Sequence, residues 1–557
     1  MLFRLRGQAF LLALLALVLV NCRSTSGPTG PEISLNFGFD PPTIDPALAT
    51  DPPTIQLDNL LFQNLVGLQE QDGVPEPALA DEWRVSQDRQ TWEFHLRPDI
   101  YWVRYDDVAG KAEKKRPVTA DDVVYSLRRL FDPRTQSPYA SRMAPLIRNA
   151  LPFNTADPRT SPPDLQKMAD VLGVVAKDPE TVQFILSRPM SAFPSLAATW
   201  LGRIQPREPI EEAGVNWTEP GTLWTSGPYM LERWDHNQFI LLRRNPFYPD
   251  AANIQIERLR FKMIPDVASA LDAYLGGDLD TTDPYDSIEG DQLARVDEDQ
   301  TLARDKRVLP GLCSQYIGFN TSQPPFNDPL VRKAFAVGLN RDDLMSKVFK
   351  TGQPARWFTA PGVVASPDIS TTLGLDFNAP QARDLLTQSG WGTKGKELPQ
   401  IEFGINANDT FHEMAVAASY NWKATVGALV HVSMDEWSVY LEKLQTATPN
   451  IFRMGFCATY PDAANFAYDA FHSGSDANFT HWSSPEYDRL VEQAALETDV
   501  LKRRDLYQAA EKLLIEDQAV IIPILWSTRV SITNPRLQRT YALLEGYEHV
   551  ERWKVNR

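Results

Sequence analysis

The sequence predicts a mixed α/β protein built as two or three packed domains. Strand-like and helix-like stretches alternate along the whole chain instead of gathering in separate blocks. No long linker divides the chain, which favours domains that exchange strands over beads on a string. The 557 residues leave room for several domains even after removal of an N-terminal segment. A composition of 43% hydrophobic and 23% charged residues excludes a disordered chain and a polytopic membrane protein. The net charge of −17 argues against nucleic acid as the main partner, because phosphate binding needs a basic surface. With 14 Trp, 17 Tyr and 26 Phe, aromatic side chains are plentiful enough to supply both a core and the walls of a ligand site.

The elements follow in order. Residues 32–39 read as a short strand closed by Pro41-Pro42, and residues 57–68 as a helix. Trp92 to Leu96 alternates apolar and polar side chains, the pattern of a half-buried strand. Thr119-Ala-Asp-Asp122 is a capping box that starts a helix through Val123, Leu127 and Leu130. The Pro-rich residues 151–163 read as an exposed loop, and residues 181–186 as a strand. Asp328-Pro329 places an acidic N-cap and a first-turn proline at a helix start, and Asn340 caps a second helix. Late helices begin at Pro485 and near Leu501, followed by a strand over 519–525.

The first residues indicate export. Arg4 and Arg6 precede an apolar run from Ala9 to Val20, too short to span a bilayer. The run ends in Leu19-Val20-Asn21-Cys22, which resembles a lipobox in which Cys22 is acylated; Asn21 departs from the small residue usual there. Residues 23–31 form a Ser/Thr/Gly/Pro-rich tether. Beyond Cys22 only Cys313 and Cys457 remain, either one disulfide or two separate thiols. A bridge closing their separation of 144 positions would stabilise the fold by roughly 4–5 kcal/mol in the chain-entropy treatment.

Catalytic motifs are missing. The sequence contains no G-x-S-x-G, H-E-x-x-H, Walker A, dinucleotide fingerprint or C-x-x-C pattern. His95, His236, His412, His431, His472, His481 and His549 never fall at metal-ligand spacing. The carboxylate pairs Asp121-Asp122 and Asp342-Asp343 sit in first helical turns, where cap and dipole account for them. The expectation is a non-enzyme with neither metal nor cofactor.

A distributed set of phrases carries a family resemblance. They are Pro77-Ala-Leu-Ala-Asp-Glu-Trp-Arg-Val-Ser86, Val118-Thr-Ala-Asp-Asp-Val-Val-Tyr-Ser126, Ser137-Pro-Tyr-Ala-Ser141, Ser226-Gly-Pro-Tyr229, Arg244-Asn-Pro246 and Pro325-Phe-Asn-Asp328. Glu436-Trp437, Gly455-Phe-Cys-Ala-Thr-Tyr460, Asn465-Phe466 and Ser484-Pro-Glu-Tyr-Asp488 follow. In this order they resemble the family 5 extracellular solute-binding proteins, the oligopeptide and dipeptide receptors of ABC importers. The resemblance implies a two-lobed clamp with an extra domain, hinged on crossing strands at 308–320 and 519–526. On that template residues 1–22 are a lipoprotein signal and 23–31 the tether. Domain I takes 32–76, 205–311 and 526–557, domain II takes 77–204, and domain III, the second lobe, takes 312–525. It further implies a monomer, held at the membrane in the periplasm or at the cell surface, that delivers a small ligand to an ABC permease.

The resemblance also implies site residues. Cys313 and Cys457 fall where oligopeptide receptors join the start of the second lobe to the ligand-facing strand by a disulfide. Gly455, Phe456, Cys457 and Thr459 match the segment that pairs with a peptide backbone as an added strand. Arg453 would face the pocket or a ligand carboxylate, and Tyr139, Trp437 and Phe456 match the aromatic walls of side-chain pockets. One departure stands out: peptide receptors carry an Asp where this chain has Thr459, as counter-charge for the ligand's buried α-ammonium. Either Asp462 supplies the charge, or the ligand has no free amine, or it is no peptide but an oligosaccharide, metal chelate, haem or opine. A sensing module uncoupled from transport is the remaining alternative.

Overall fold

The computed structural model describes residues 30–282, 288–368, 373–392 and 396–556. The export segment, Cys22 and the tether up to residue 29 lie outside the described residues. Among the described residues no helix is long and apolar enough to cross a membrane.

Three sheet assemblies organise the chain. In the first, Glu32–Asn36 runs parallel to Arg258–Lys262, which is joined antiparallel to Phe239–Arg244 and then Tyr229–Asp235. In the second, Ala80–Val85, Thr91–Leu96, Thr181–Ile185 and Val174–Asp178 form an antiparallel sheet packed against helix Ala120–Phe131. The third has six strands and begins with Gln353–Pro354, Ile521–Ile532 and Lys306–Phe319. Ile451–Cys457, Ile401–Asn406 and Val430–Asp435 complete it.

Each face of the six-stranded sheet has its own core. Ile317, Phe319, Ile451, Phe403 and Ile522 pack on one side with Phe335 and Trp422. Tyr316 and Phe452 project to the other side, among Phe358, Phe466 and Phe471. This alternation is the period-2 pattern of a strand buried on both faces.

The two longest strands cross between the lobes. Lys306–Phe319 leaves the first lobe and Ile521–Ile532 returns to it, paired from Lys306↔Ile532 to Gly318↔Ile521. The register breaks between Pro310 and Ser314 and again between Gln315 and Tyr316, where Tyr316 faces Pro523. A proline has no N–H to give a ladder, so both breaks fall where a donor is missing. At the first break a Cβ on Gly311 would lie 2.3 Å from Ser527 Oγ, so only glycine lets the strands approach there. The crossing strands expected from the resemblance are therefore present, and the ladder yields at Pro310–Gly311.

Several elements follow their sequence signals. Asp328 caps helix Pro329–Val337 by accepting from Leu330 N, and Thr119 with Asp122 closes the capping box of Ala120–Phe131. Others do not. The helix expected over 57–68 is instead Pro52–Leu61, because Asp51 accepts from Thr54 N and the two prolines occupy the first turn. Residues 66–68 of the expected helix form a strand paired with Pro75–Pro77. The Pro-rich residues 151–163 are only partly loop: Ala150–Asn154 is a short helix, and Pro162–Asp170 starts after Ser161 with prolines in its first turn. There Pro signals helix entry, not coil.

The C-terminal segment straps back onto the first lobe. Gln56 and Glu548 exchange two hydrogen bonds, Gln56 Nε2 donating to Glu548 O at 3.0 Å and Glu548 N donating to Gln56 Oε1 at 2.9 Å. His549 lies between Glu551, 2.7 Å from its Nδ1, and the Leu68 carbonyl, 2.9 Å from its Nε2. Burial alone would lower the imidazole, but the Glu551 carboxylate overrides it and raises the group to about 9. The same contact holds the Glu551 carboxyl below its ordinary range against the opposing effect of burial.

Because the folded-state pKa of His549 lies above its unfolded value of 6.5, the imidazolium stabilises fully below pH 6.5 and progressively less as pH rises through about 9. Urea titrations of wild type and H549Q should therefore differ by about 3 kcal/mol at pH 6 and converge by about pH 10.

Candidate functional site

The site is built on the strand Ile451–Cys457. On one side it pairs antiparallel with the crossing strand, from Phe319↔Ile451 to Cys313↔Cys457. On the other side it pairs with Ile401–Asn406 only at Ile451 and Phe452. From Arg453 onward that second edge has no sheet partner among the described residues.

Parity decides which groups face this edge. Ala458 N donates to Leu312 O, so residues 452, 454 and 456 point their backbone groups at the crossing strand, and 453, 455 and 457 point outward. The Arg453 carbonyl is taken by Tyr440 Oη at 2.6 Å. Gly455 and Cys457 are left with outward N–H and C=O groups, a short template for an extended chain.

Cys313 and Cys457 occupy a pair whose backbone groups point outward from each other, with Cα atoms 3.9 Å apart, and the structure joins them in a disulfide. The bond lies on the second-lobe side of the break at Pro310–Gly311. It fixes the end of the edge strand to the crossing strand.

The side chains separate onto two faces. Arg453 is 7% exposed, with Nη1 donating to Asn406 Oδ1 at 3.0 Å, Nη2 donating to Gln315 Oε1, and its guanidinium 3.4 Å from the Phe411 ring centre. No carboxylate among the described residues forms an ion pair with it, its Nε has no partner, and burial lowers it to about 10. Over Gly455 lies the Gln315 side chain, 2.7 Å from where a Cβ would stand. The close approach expected at Gly455 thus already serves Gln315 and, through it, Arg453.

On the opposite face Phe456 packs at 5.8 Å on Phe358 and 5.5 Å on Phe466 and lines a cleft of 540 Å³. Thr459 lines the same cleft from a bend two residues past the strand's end, not from the strand itself. Its N–H donates to Asn465 Oδ1 at 2.7 Å.

The far wall of this cleft comes from the first lobe. Arg142 Nη1 donates to Thr459 Oγ1 at 3.0 Å and stands 5.2 Å over the Tyr139 ring. Arg188 pairs with Asp469 at 3.2 Å and lies 4.0 Å over Tyr468. Tyr139 packs edge-on against Trp200 at 5.6 Å, and its hydroxyl donates to Thr50 O. Trp437 begins helix Trp437–Thr446 beside Tyr440 and is 45% exposed. The structure thus brings Tyr139, Phe456 and Thr459 to one face of the strand, the face on which the Trp437–Thr446 helix also packs through Tyr440 and Leu444, and leaves Arg453 on the other.

Asp462 does not face the ligand space. It is 0% exposed, accepts from Ala464 N as the N-cap of Ala463–Phe471, and holds Arg503 at 2.7 Å. A carboxylate placed that deep needs its partner, so the acid three residues after Thr459 belongs to the fold. Residues that the sequence did not single out are Arg142, Arg188, Gln315 and Asp469. Only Arg142 had a local signal, lying one helical turn after Tyr139 in the short helix Ala140–Met143.

R503A should strand the Asp462 carboxylate and lower unfolding free energy by about 3–5 kcal/mol in urea titrations. R503L combined with D462L should recover most of that loss, less about 1 kcal/mol for the missing cap.

Comparison with known proteins places this geometry. The model of the bacterial extracellular solute-binding proteins, family 5, matches residues 74–478. The periplasmic oligopeptide-binding protein OppA of Escherichia coli (strain K12) is 31% identical over 504 residues, covering 90% of this chain and 88% of OppA. The probable deoxycholate-binding periplasmic protein YgiS of the same strain is 29% identical over 506 residues, covering 90% of this chain and 89% of YgiS. Among solved structures, the unliganded open form of the periplasmic murein tripeptide-binding protein MppA superposes with a TM-score of 0.82 at 28% identity, covering 95% of this chain and 99% of MppA.

Proposed function

The chain belongs to the bacterial extracellular solute-binding proteins of family 5, and we propose that it is the receptor of an ABC importer that captures short peptides between its two lobes. The observation that carries the peptide reading is the outward backbone edge at Gly455 and Cys457, next to the cleft between the lobes. A receptor that reads many sequences pairs with what they share, the backbone, and leaves side chains to roomy pockets. Phe456, Tyr139 and the exposed Trp437 are the proposed pocket walls, and Arg453, buried without an acid, is the proposed partner of a ligand carboxylate.

Capture is by hinge closure. The crossing ladder bends at Pro310–Gly311, the lobes meet over the ligand, and the closed form docks on the permease. The proposed division is domain I at 32–76, 205–311 and 526–557, domain II at 77–204 and domain III at 312–525. Export as a monomeric lipoprotein anchored through Cys22 completes the proposal.

Two measurements test it together. Small-angle scattering should give a smaller radius of gyration when trialanine is added to ligand-free protein. Calorimetry should show trialanine N-methylated at its central residue binding at least about tenfold more weakly, since one backbone donor is lost and the methyl obstructs strand pairing. Equal affinities would remove backbone pairing from the proposal.

A further inference from the structure

Thr459 stands in a ring of charged groups, and their partners show which charge is left over. Asp462 is locked on Arg503. Asp469 accepts from Tyr460 Oη at 2.7 Å and Asn465 Nδ2 at 3.0 Å, and pairs with Arg188. Asp476 lines the same cleft at its exposed rim. Arg142, exposed at the cleft, remains: its guanidinium has five N–H donors, and the one hydrogen bond that guanidinium makes within the protein among the described residues goes to Thr459 Oγ1 at 3.0 Å. No carboxylate among the described residues forms an ion pair with it.

The Thr459 hydroxyl, accepting from Arg142, has its own proton to give. Arg142 and Thr459 therefore present several N–H donors and one O–H donor to the same point in the cleft, from opposite lobes. Donors converging from a guanidinium fork call for a planar acceptor with negative charge. An ammonium placed there would meet a like charge, and closure, by removing water, would strengthen that repulsion.

We propose that Arg142 and Thr459 together receive an acidic group of the ligand, so that the cargo is an extended molecule presenting a carboxylate, and not a free ammonium, at this end of the cleft. This rests on the reading that the cleft captures an extended ligand between the lobes. The same contact gives closure a chemical trigger, because a carboxylate held by Arg142 from the first lobe and Thr459 from the second ties the two together.

The test is calorimetry on ligand-free protein with four probes: trialanine, N-acetyl-trialanine, N-succinyl-trialanine and deoxycholate. The three peptides share the Ala backbone and C-terminus and carry a cationic, a neutral and an anionic group in turn at the N-terminal end, the acetyl peptide serving as the acylated control. N-succinyl-trialanine should bind at least about tenfold more tightly than trialanine. In R142Q the succinyl and acetyl peptides should bind alike, R142K should fall between, and T459D should turn the preference toward trialanine.

Trialanine binding tightest to the wild type, a succinyl-to-acetyl ratio unchanged in R142Q, or failure of all four probes to bind overturns the inference. Trialanine preferred and weakened by D476N also overturns it, by placing the ammonium on Asp476. Deoxycholate alone binding, in an Arg142-dependent way, upholds the acid site while removing backbone pairing. A clear N-methylation effect with an unchanged ratio in R142Q does the reverse, so the two readings fail separately.

Discussion

The pairing of Lys306–Phe319 with Ile521–Ile532 is the constraint on which the rest depends. These strands are part of the second lobe's sheet and also its tie to the first lobe, so one ladder sets the architecture and carries the proposed hinge. A fully hydrogen-bonded pair would be stiff along its length. Pro310, Gly311 and Pro523 interrupt it at defined places, and the breaks concentrate bending where the lobes meet. The disulfide lies just beyond the first break. The disulfide and the ladder together fix the edge strand Ile451–Cys457 to the crossing strand and hold its outward groups at a set spacing.

Much of this was legible because it is local chemistry. Asp328-Pro329 and Thr119 with Asp122 announce helix starts in a few residues, and the structure places caps there. The readings that failed also turn on proline. Pro52-Pro53 and Pro162-Pro163 are first-turn residues, yet Pro-rich stretches read as coil until the N-caps Asp51 and Ser161 are weighed with them. The disulfide partners were legible only through the resemblance, since spacing alone left two thiols as an equal reading. Arg142 and Gln315 were not legible in their roles at all. Each acts on a residue more than a hundred positions away, Arg142 on Thr459 and Gln315 on Arg453, and no pattern in one chain encodes such a meeting.

The buried charges separate into those that hold the fold and those that await a partner. Asp462 with Arg503, and Arg539 with Glu548, are enclosed pairs with side chains no more than 6% exposed, each charge compensated where it stands. Arg453 is as deeply placed but has amide partners only, whereas Arg142 is exposed and reaches across the cleft to a hydroxyl. Burying a cation without an acid is unfavourable unless something arrives to neutralise it. In a clamp that closes around a ligand, such positions are where a ligand's negative groups contribute most.

This changes where specificity lies. In the proposed mode of capture, the backbone edge at Gly455 and Cys457 would pair with any extended chain, and the proposed walls Phe456 and Tyr139 would accept many shapes. Neither discriminates strongly between one short chain and another. The ends of the ligand do, because a misplaced charge in a closing cleft costs more than a missing apolar contact. Thr459 in place of an acid, Asp462 turned into the fold and Arg142 reaching across the cleft all shift one end in the same direction. The Arg142–Thr459 contact and the Asp462–Arg503 pair are separate observations, and both leave a cation instead of a free acid beside Thr459.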